Sequence, residues 1–86
     1  MVDKYKNITF VVHPTQYNDF DILAIGDCLI LKTLVKKEKH FYFIPKSKFG
    51  GIPIVVLDTC DTWADAKACI KQYRKLYGMP QTDKNL

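Results

Sequence analysis

The hydrophobic pattern of the chain changes its period near Thr62, and this change limits the folds that the sequence can adopt. Before Thr62, apolar residues form short blocks with alternation, as in 8–12 and 41–44. After it, apolar residues recur at spacings of three and four, which places them on one face of a helix. These residues are Trp63, Ala66, Ile70, Tyr73 and Tyr77. The pattern predicts an α+β fold: an antiparallel β-meander of four to five strands, with one C-terminal amphipathic helix at about 62–77 packed on one face.

Apolar segments separated by turn residues carry the predicted strands. They are 8–13, 20–25, 28–35, 40–44 and 52–57. Gly26 and Asp27, between the second and third segments, are typical of a hairpin turn because glycine readily adopts a positive φ. The alternative is a short helix within 21–34, which Gly26 disfavours because glycine inside a helix costs roughly 1 kcal/mol relative to alanine. Pro53 has no N–H to donate, so we expect it to lie at a sheet edge or outside the pairing.

The C-terminal helix has recognisable signals at both ends. Thr62 is a suitable N-cap. Gly78 suits the left-handed position that follows a helix, and Pro80 prevents its continuation. These signals predict a helix over 63–77. If Trp63 anchors this helix on the sheet, we expect Trp63→Ala to cost roughly 3–5 kcal/mol.

Length and cysteine usage predict one intracellular domain. The 86 residues are expected to form a compact domain at 1–80 and a flexible polar tail at 81–86. The N-terminus lacks the apolar region of a secretory signal, and no apolar run approaches the roughly 20 residues that span a bilayer. Cys28, Cys60 and Cys69 are odd in number and unrelated in spacing, which is typical of reduced cysteines. We therefore expect a cytoplasmic protein without a membrane segment.

The surplus of positive charge is concentrated in one block. The formal net charge is +4, and the segment 32–48 alone contains six lysines against a single acidic residue, Glu38. Such a block favours an acidic partner, which can be nucleic acid, an acidic protein face or a phosphorylated ligand. A pair of solubilising loops is the simpler explanation of the same lysines.

The sequence contains no usable pattern for catalysis or metal binding. His13 and His40 have no cysteine or carboxylate at the spacing of a zinc site. Cys60 precedes a helix N-terminus, which favours a thiolate, but neighbouring aspartates oppose that effect by repulsion. Gly50 and Gly51 do not form a phosphate-binding motif, and we expect them to let the chain turn. We therefore expect no enzyme activity, no cofactor and no metal ion.

Two binding functions remain. The leading hypothesis is a small non-catalytic binding or regulatory protein that occupies a surface of a larger protein or protein–nucleic-acid complex. This profile is typical of small accessory regulators, including inhibitors encoded by phages and mobile elements. The alternative is a small nucleic-acid-binding domain, in which the lysines of 32–48 neutralise phosphates and an exposed aromatic stacks on bases. The candidate binding residues are Lys36, Lys37, Lys39, Tyr42, Lys46, Lys48 and Phe49.

Phe49 and the sheet surface allow two further hypotheses. Phe49 lies among lysines and glycines in a predicted loop, so it is either an exposed anchor or a residue that folds back onto the sheet. If the sheet has an uncovered face, a homodimer would hide it. The residues expected on that face are Val11, Leu31, Tyr42 and Val55. No motif in the sequence is specific enough to indicate a family.

Overall fold

A computed structural model describes residues 8–77, which form one four-stranded antiparallel sheet and two helices. The elements are β1 (Thr9–Pro14), β2 (Phe20–Ile25), α1 (Cys28–Val35), β3 (Tyr42–Ile44), β4 (Ile54–Cys60) and α2 (Trp63–Leu76). The predicted α+β fold, with its antiparallel sheet and C-terminal helix, is confirmed. Neither helix is long and apolar enough to cross a membrane.

The segment 28–35 is a helix, so the strand predicted there and the hairpin turn at Gly26 and Asp27 are wrong. The Asp27 carboxylate is the N-cap, and it accepts hydrogen bonds from the backbone N–H groups of Leu29 at 3.0 Å and Ile30 at 3.3 Å. Gly26 precedes this cap, so the cost of glycine inside a helix does not apply to it. The short helix that the sequence left as an alternative is therefore the one that forms.

The helix α1 also changes the connectivity of the sheet. The strand order is β1-β2-β4-β3, and β4 pairs antiparallel with both β2 and β3. It follows that β2 and β3 run parallel, and parallel strands need a crossover connection, which α1 supplies. The sheet therefore departs from a simple meander, because the last strand enters between the second and third.

Two strands differ in extent from the prediction. The strand expected at 40–44 is shorter, because β3 begins at Tyr42, and the strand expected at 52–57 is displaced, because β4 runs from Ile54 to Cys60. Pro53 lies just before β4 and outside the pairing, as expected.

The helix α2 begins where the sequence predicts. The Thr62 side chain accepts a hydrogen bond from the backbone N–H of Asp65 at 3.1 Å, so Thr62 is the N-cap. The expected C-terminal signals at Gly78 and Pro80, and the expected tail at 81–86, lie outside the described residues.

Both helices pack on the same face of the sheet. Alternate residues of β1, β2 and β4 point toward them, and side chains from the sheet and both helices form one buried cluster. The cluster consists of Ile8, Phe10, Ile22, Ala24, Leu31, Leu34, Phe41, Val55, Leu57, Ala66, Ile70 and Tyr77. Leu31 and Val55 were expected on an uncovered face, and that expectation is wrong because both lie in this core at 0% exposure.

Candidate functional site

The other face of the sheet is not covered by α1 or α2. Val11, Leu23, Val56 and Tyr42 face each other across the four strands and form one row on this surface. This register is fixed by the core, because a shift of one residue would move the apolar residues away from the helices. We call this surface the helix-free face.

The loop 45–53 covers part of the helix-free face. It leaves the sheet after Ile44 and returns at Ile54, which pair with each other at one end of the sheet. The ring of Phe49 nevertheless contacts the ring of His13 near the far end of β1, with centroids 4.7 Å apart and an interplanar angle of 77°. The loop therefore crosses the face diagonally, and Phe49 folds back onto the sheet.

Backbone hydrogen bonds hold the loop in this conformation. The N–H of Ser47 donates to the carbonyl of Ile52 at 3.1 Å, and the N–H of Gly51 donates to the carbonyl of Ser47 at 2.9 Å. Gly50 and Gly51 adopt φ values of 77° and 79°. Side chains disfavour this region, so the two glycines permit the turn, as the sequence suggests.

A cavity of about 450 Å³ lies between this loop, the loop 15–19 and the sheet. Its floor is apolar and is formed by Leu23, Ile44, Ile54 and Val56. The volume is within the range of about 300–1,000 Å³ that is typical of sites for small ligands. The cavity can therefore receive a small molecule or one large side chain of a partner.

Opposite charges line the rim of the cavity. Asp21 accepts a hydrogen bond from the Thr59 hydroxyl at 2.9 Å, and Asp19 accepts one from a threonine hydroxyl in its own loop. Lys46 and Lys48 also line the cavity, and within residues 8–77 neither of them forms an ion pair. The aspartates thus already have hydrogen-bond partners, whereas both ammonium groups are available to a ligand.

Three of the seven candidate binding residues meet at this cavity: Lys46, Lys48 and Phe49. The loop places them there because it crosses the face. Sequence reasoning did not connect them with His13, Asp21 and Thr59, which come from three different strands. The position of His13 could have been inferred from the sequence, because alternation along β1 puts His13 on the same face as Val11.

The other four candidates lie elsewhere. Lys36, Lys37 and Lys39 are exposed in the turn between α1 and β3, whereas Lys46 and Lys48 follow the opposite end of β3. The basic block of the sequence is therefore divided into two groups. Tyr42 belongs to the helix-free face and is 65% exposed.

A cluster of thiols lies beneath α2 but has the properties of a structural site. The thiol of Cys69 donates to a carboxylate oxygen of Asp58 at 3.6 Å and is hydrogen-bonded to the thiol of Cys60. Burial raises the pKa of Cys69 to about 12, with the neighbouring Cys60 and Asp58 acting in the same direction. Burial also raises the pKa of Cys60. These thiols are therefore poor nucleophiles at neutral pH.

Metal ligands are also dispersed in the part of the chain that the structure describes. Residues 8–77 contain no group of three or more histidine, cysteine, aspartate or glutamate side chains that could hold a metal ion. No protein-family model, curated protein or solved structure matches the sequence.

Proposed function

We propose that the protein is a small non-catalytic binding protein that occupies a surface of a larger protein, alone or within a protein–nucleic-acid complex. The helix-free face is the binding surface in this proposal. The observation that carries it is a cavity with an apolar floor and two lysines that form no ion pair within residues 8–77, on a face that the helices leave uncovered. Such a protein regulates its partner by occlusion, as small inhibitors encoded by phages and mobile elements do.

The composition of the face supports a protein partner. Protein interfaces combine an apolar centre and aromatic anchors with a polar rim. On this surface Tyr42 is 65% exposed and Tyr17, beside the cavity, is 77% exposed. The ammonium groups of Lys46 and Lys48, unpaired within the part of the chain that the structure describes, favour a partner that presents carboxylates next to an apolar side chain.

A pull-down from cytosol with the tagged protein tests the proposal, with half of the sample treated with nuclease before washing. We expect a discrete protein that remains bound after nuclease treatment. The double variant Lys46→Glu/Lys48→Glu should lose it. The matched variant Lys32→Glu/Lys75→Glu makes the same change of charge on the two helices and should retain it.

Two results would contradict the proposal. One is undiminished capture by the Lys46→Glu/Lys48→Glu protein while circular dichroism shows that it is folded. The other is nucleic acid in the eluate together with the loss of every partner on digestion.

The second result would favour the alternative function, a small nucleic-acid-binding domain that uses the lysines of 32–48. The exposure of Tyr42 favours this alternative, because the ring of this residue, within the lysine-rich segment 32–48, is accessible for stacking on a base. The carboxylates of Asp19 and Asp21 oppose it, because they share the cavity rim with Lys46 and Lys48. Salt dependence separates the two functions, since phosphate contacts on duplex DNA give a slope of about −0.9 per phosphate.

A further inference from the structure

A second cationic surface lies on α2, away from the helix-free face. Lys67, Lys71 and Arg74 line a shallow groove of about 400 Å³ together with Ala68 and Ile70. At about 100° per residue, the three cations fall within roughly 60° of rotation around the helix and form one stripe. Because both helices pack on the opposite face of the sheet, this stripe is separate from the cavity of the proposed function.

The stripe has no compensating negative charge in the described structure. Within residues 8–77, none of these three cations forms an ion pair with a carboxylate. Arg74 is held in place by a hydrogen bond from its Nη2 to the backbone carbonyl of Phe10 at 3.1 Å. That bond uses one of the five guanidinium donors, so the others remain for a ligand. The stripe therefore presents positive charge that no carboxylate of residues 8–77 pairs with, and Arg74 is anchored within it.

Trp63 extends the same stripe at its N-terminal end. It precedes Lys67 by four residues and Lys71 by eight, so the three side chains lie near one line along the helix. The Trp63 side chain is 53% exposed. Its ring contacts the ring of Phe20 at a centroid distance of 5.7 Å and an angle of 58°. Contact on one side and exposure on the other make Trp63 a fixed aromatic platform.

We propose that this surface binds single-stranded nucleic acid, with a base stacked on Trp63 and phosphates contacting Lys67, Lys71 and Arg74. Proteins that bind single strands combine aromatic platforms with cations that follow the backbone. From Trp63 to Arg74 the helix rises about 16 Å, which is the length of a few nucleotides. A duplex does not satisfy the site, because its bases are already stacked and paired.

An acidic protein segment fits this surface less well. Protein interfaces are anchored by apolar and aromatic side chains in desolvated pockets. Here the groove contains only Ala68 and the buried Ile70 between cations, and Trp63 lies about one helical turn before Lys67, outside the groove lining. Phosphates need only the charges, which this groove supplies. The surface therefore favours a phosphodiester backbone.

Trp63 is the only tryptophan in the chain, so its fluorescence reports directly on the proposed site. The experiment is a titration of the full chain with a thymidine 12-mer at low salt. We expect the bound strand to quench Trp63 fluorescence. The logarithm of the binding constant should fall with the logarithm of salt concentration at a slope of about −2, as three phosphate contacts on a single strand predict.

Variants assign the binding to individual residues. Lys67→Glu/Lys71→Glu should abolish measurable binding while circular dichroism shows a folded protein. With a fluorescein-labelled strand, Trp63→Ala should weaken binding about 10- to 100-fold, whereas Trp63→Phe retains a ring and should weaken it less. Lys46→Glu/Lys48→Glu makes the same charge change on the helix-free face and should bind the strand as the unmodified protein does.

Three results would overturn the inference. The first is absence of quenching at low salt. The second is equal affinity for the thymidine 12-mer and for a duplex of the same length or a polyglutamate peptide. The third is loss of strand binding in Lys46→Glu/Lys48→Glu but not in Lys67→Glu/Lys71→Glu. The first two results leave the pull-down test of the helix-free face unaffected, whereas the third would favour the alternative function, in which the lysines of 32–48 bind nucleic acid.

Discussion

The two faces of the sheet are covered in different ways, although the same strands form both. On one face, two helices leave Phe10 only 1% exposed. On the other face, the loop 45–53 and its surroundings bury Leu23 and Ile54 to 3% and 2% exposure but leave Tyr42 65% exposed. That second face also contains a cavity of about 450 Å³.

The difference follows from what each kind of cover can supply. An amphipathic helix presents at least one apolar side chain at every turn, so it packs against the strands along its whole length. A loop of nine residues with two glycines supplies only a few apolar side chains. Here Phe49 is the one whose ring contacts the ring of His13. We therefore expect substitutions on the helix-covered face to affect stability and substitutions on the helix-free face to affect binding.

The largest loss of unfolding free energy is expected on the helix-covered face, and two neighbouring residues whose side chains point to opposite faces allow a direct comparison. Phe10→Ala removes a fully buried ring from the helix-covered face and should cost about 3–5 kcal/mol of unfolding free energy. Val11→Ala removes a half-buried side chain from the helix-free face and should cost about 1 kcal/mol. Urea unfolding of both variants measures the contrast. Equal losses of unfolding free energy would contradict this prediction, because they would mean that the two faces contribute equally to stability.

Trp63→Ala should have an intermediate effect. The sequence predicted a loss of about 3–5 kcal/mol for an anchoring tryptophan, but the side chain is 53% exposed and that condition is not met. Because only about half of its surface is buried, we expect about 2 kcal/mol at about 25 cal/mol per Å². Circular dichroism during urea unfolding measures the loss, and a value close to that of Phe10→Ala would show that the ring belongs to the main core.

The N-cap of α1 should contribute less to the unfolding free energy than the Trp63 side chain does. Asp27→Ala should cost about 1 kcal/mol, because it removes the acceptor for two backbone N–H groups at the start of α1. Asp27→Asn keeps a side-chain oxygen and should cost a few tenths of that amount or less. Thermal unfolding of both variants compares them. A neutral Asp27→Ala would mean that packing alone holds α1.

The smallest effect at neutral pH concerns the thiols beneath α2. Burial raises the pKa of Cys69 from 9.0 to about 12 and raises the pKa values of Cys60 and Tyr73 as well. The unfolded chain therefore releases these protons at a lower pH than the folded protein does. The unfolding free energy should be unaffected below about pH 9 and should fall as the pH rises toward 12.

Urea unfolding at a series of alkaline pH values measures this dependence. Cys69→Ser should make the decline shallower, and Cys28→Ser, on the other helix, is the matched control. A decline that is identical in Cys69→Ser and the unmodified protein would show that this thiol does not contribute.

The contrast between α2 and α1 shows why only part of the fold was predictable. In α2, the N-cap at Thr62 and a period sustained over fourteen residues indicate the same structure. In α1, the run is eight residues long, and its apolar side chains fit a strand or a helix. Gly26 and Asp27 also suit both a hairpin turn and a helix start. Packing of Leu31 and Leu34 against β3 and β4 selects the helix.

The candidate site was predictable only where its residues are neighbours in the chain. Lys46, Lys48 and Phe49 lie in one loop, so composition identified them together. His13 and Asp21 pair across β1 and β2, and they line a common cavity with that loop only because of its path over the sheet. Trp63 was assigned to the buried face of α2 because periodicity gives the direction of a side chain but not the extent of the surface that it meets.

By itself, the sequence determined the α+β class, the position and the N-cap of α2, the faces of β1 and the existence of a lysine-rich loop with two turn-forming glycines. All of these depend on interactions between residues close in the chain, where side-chain periodicity and capping act. Only the tertiary structure decided that α1 is a helix, that β4 lies between β2 and β3, and that the loop crosses the helix-free face to enclose a cavity. These features depend on contacts between distant segments, which stabilise one of several locally acceptable conformations.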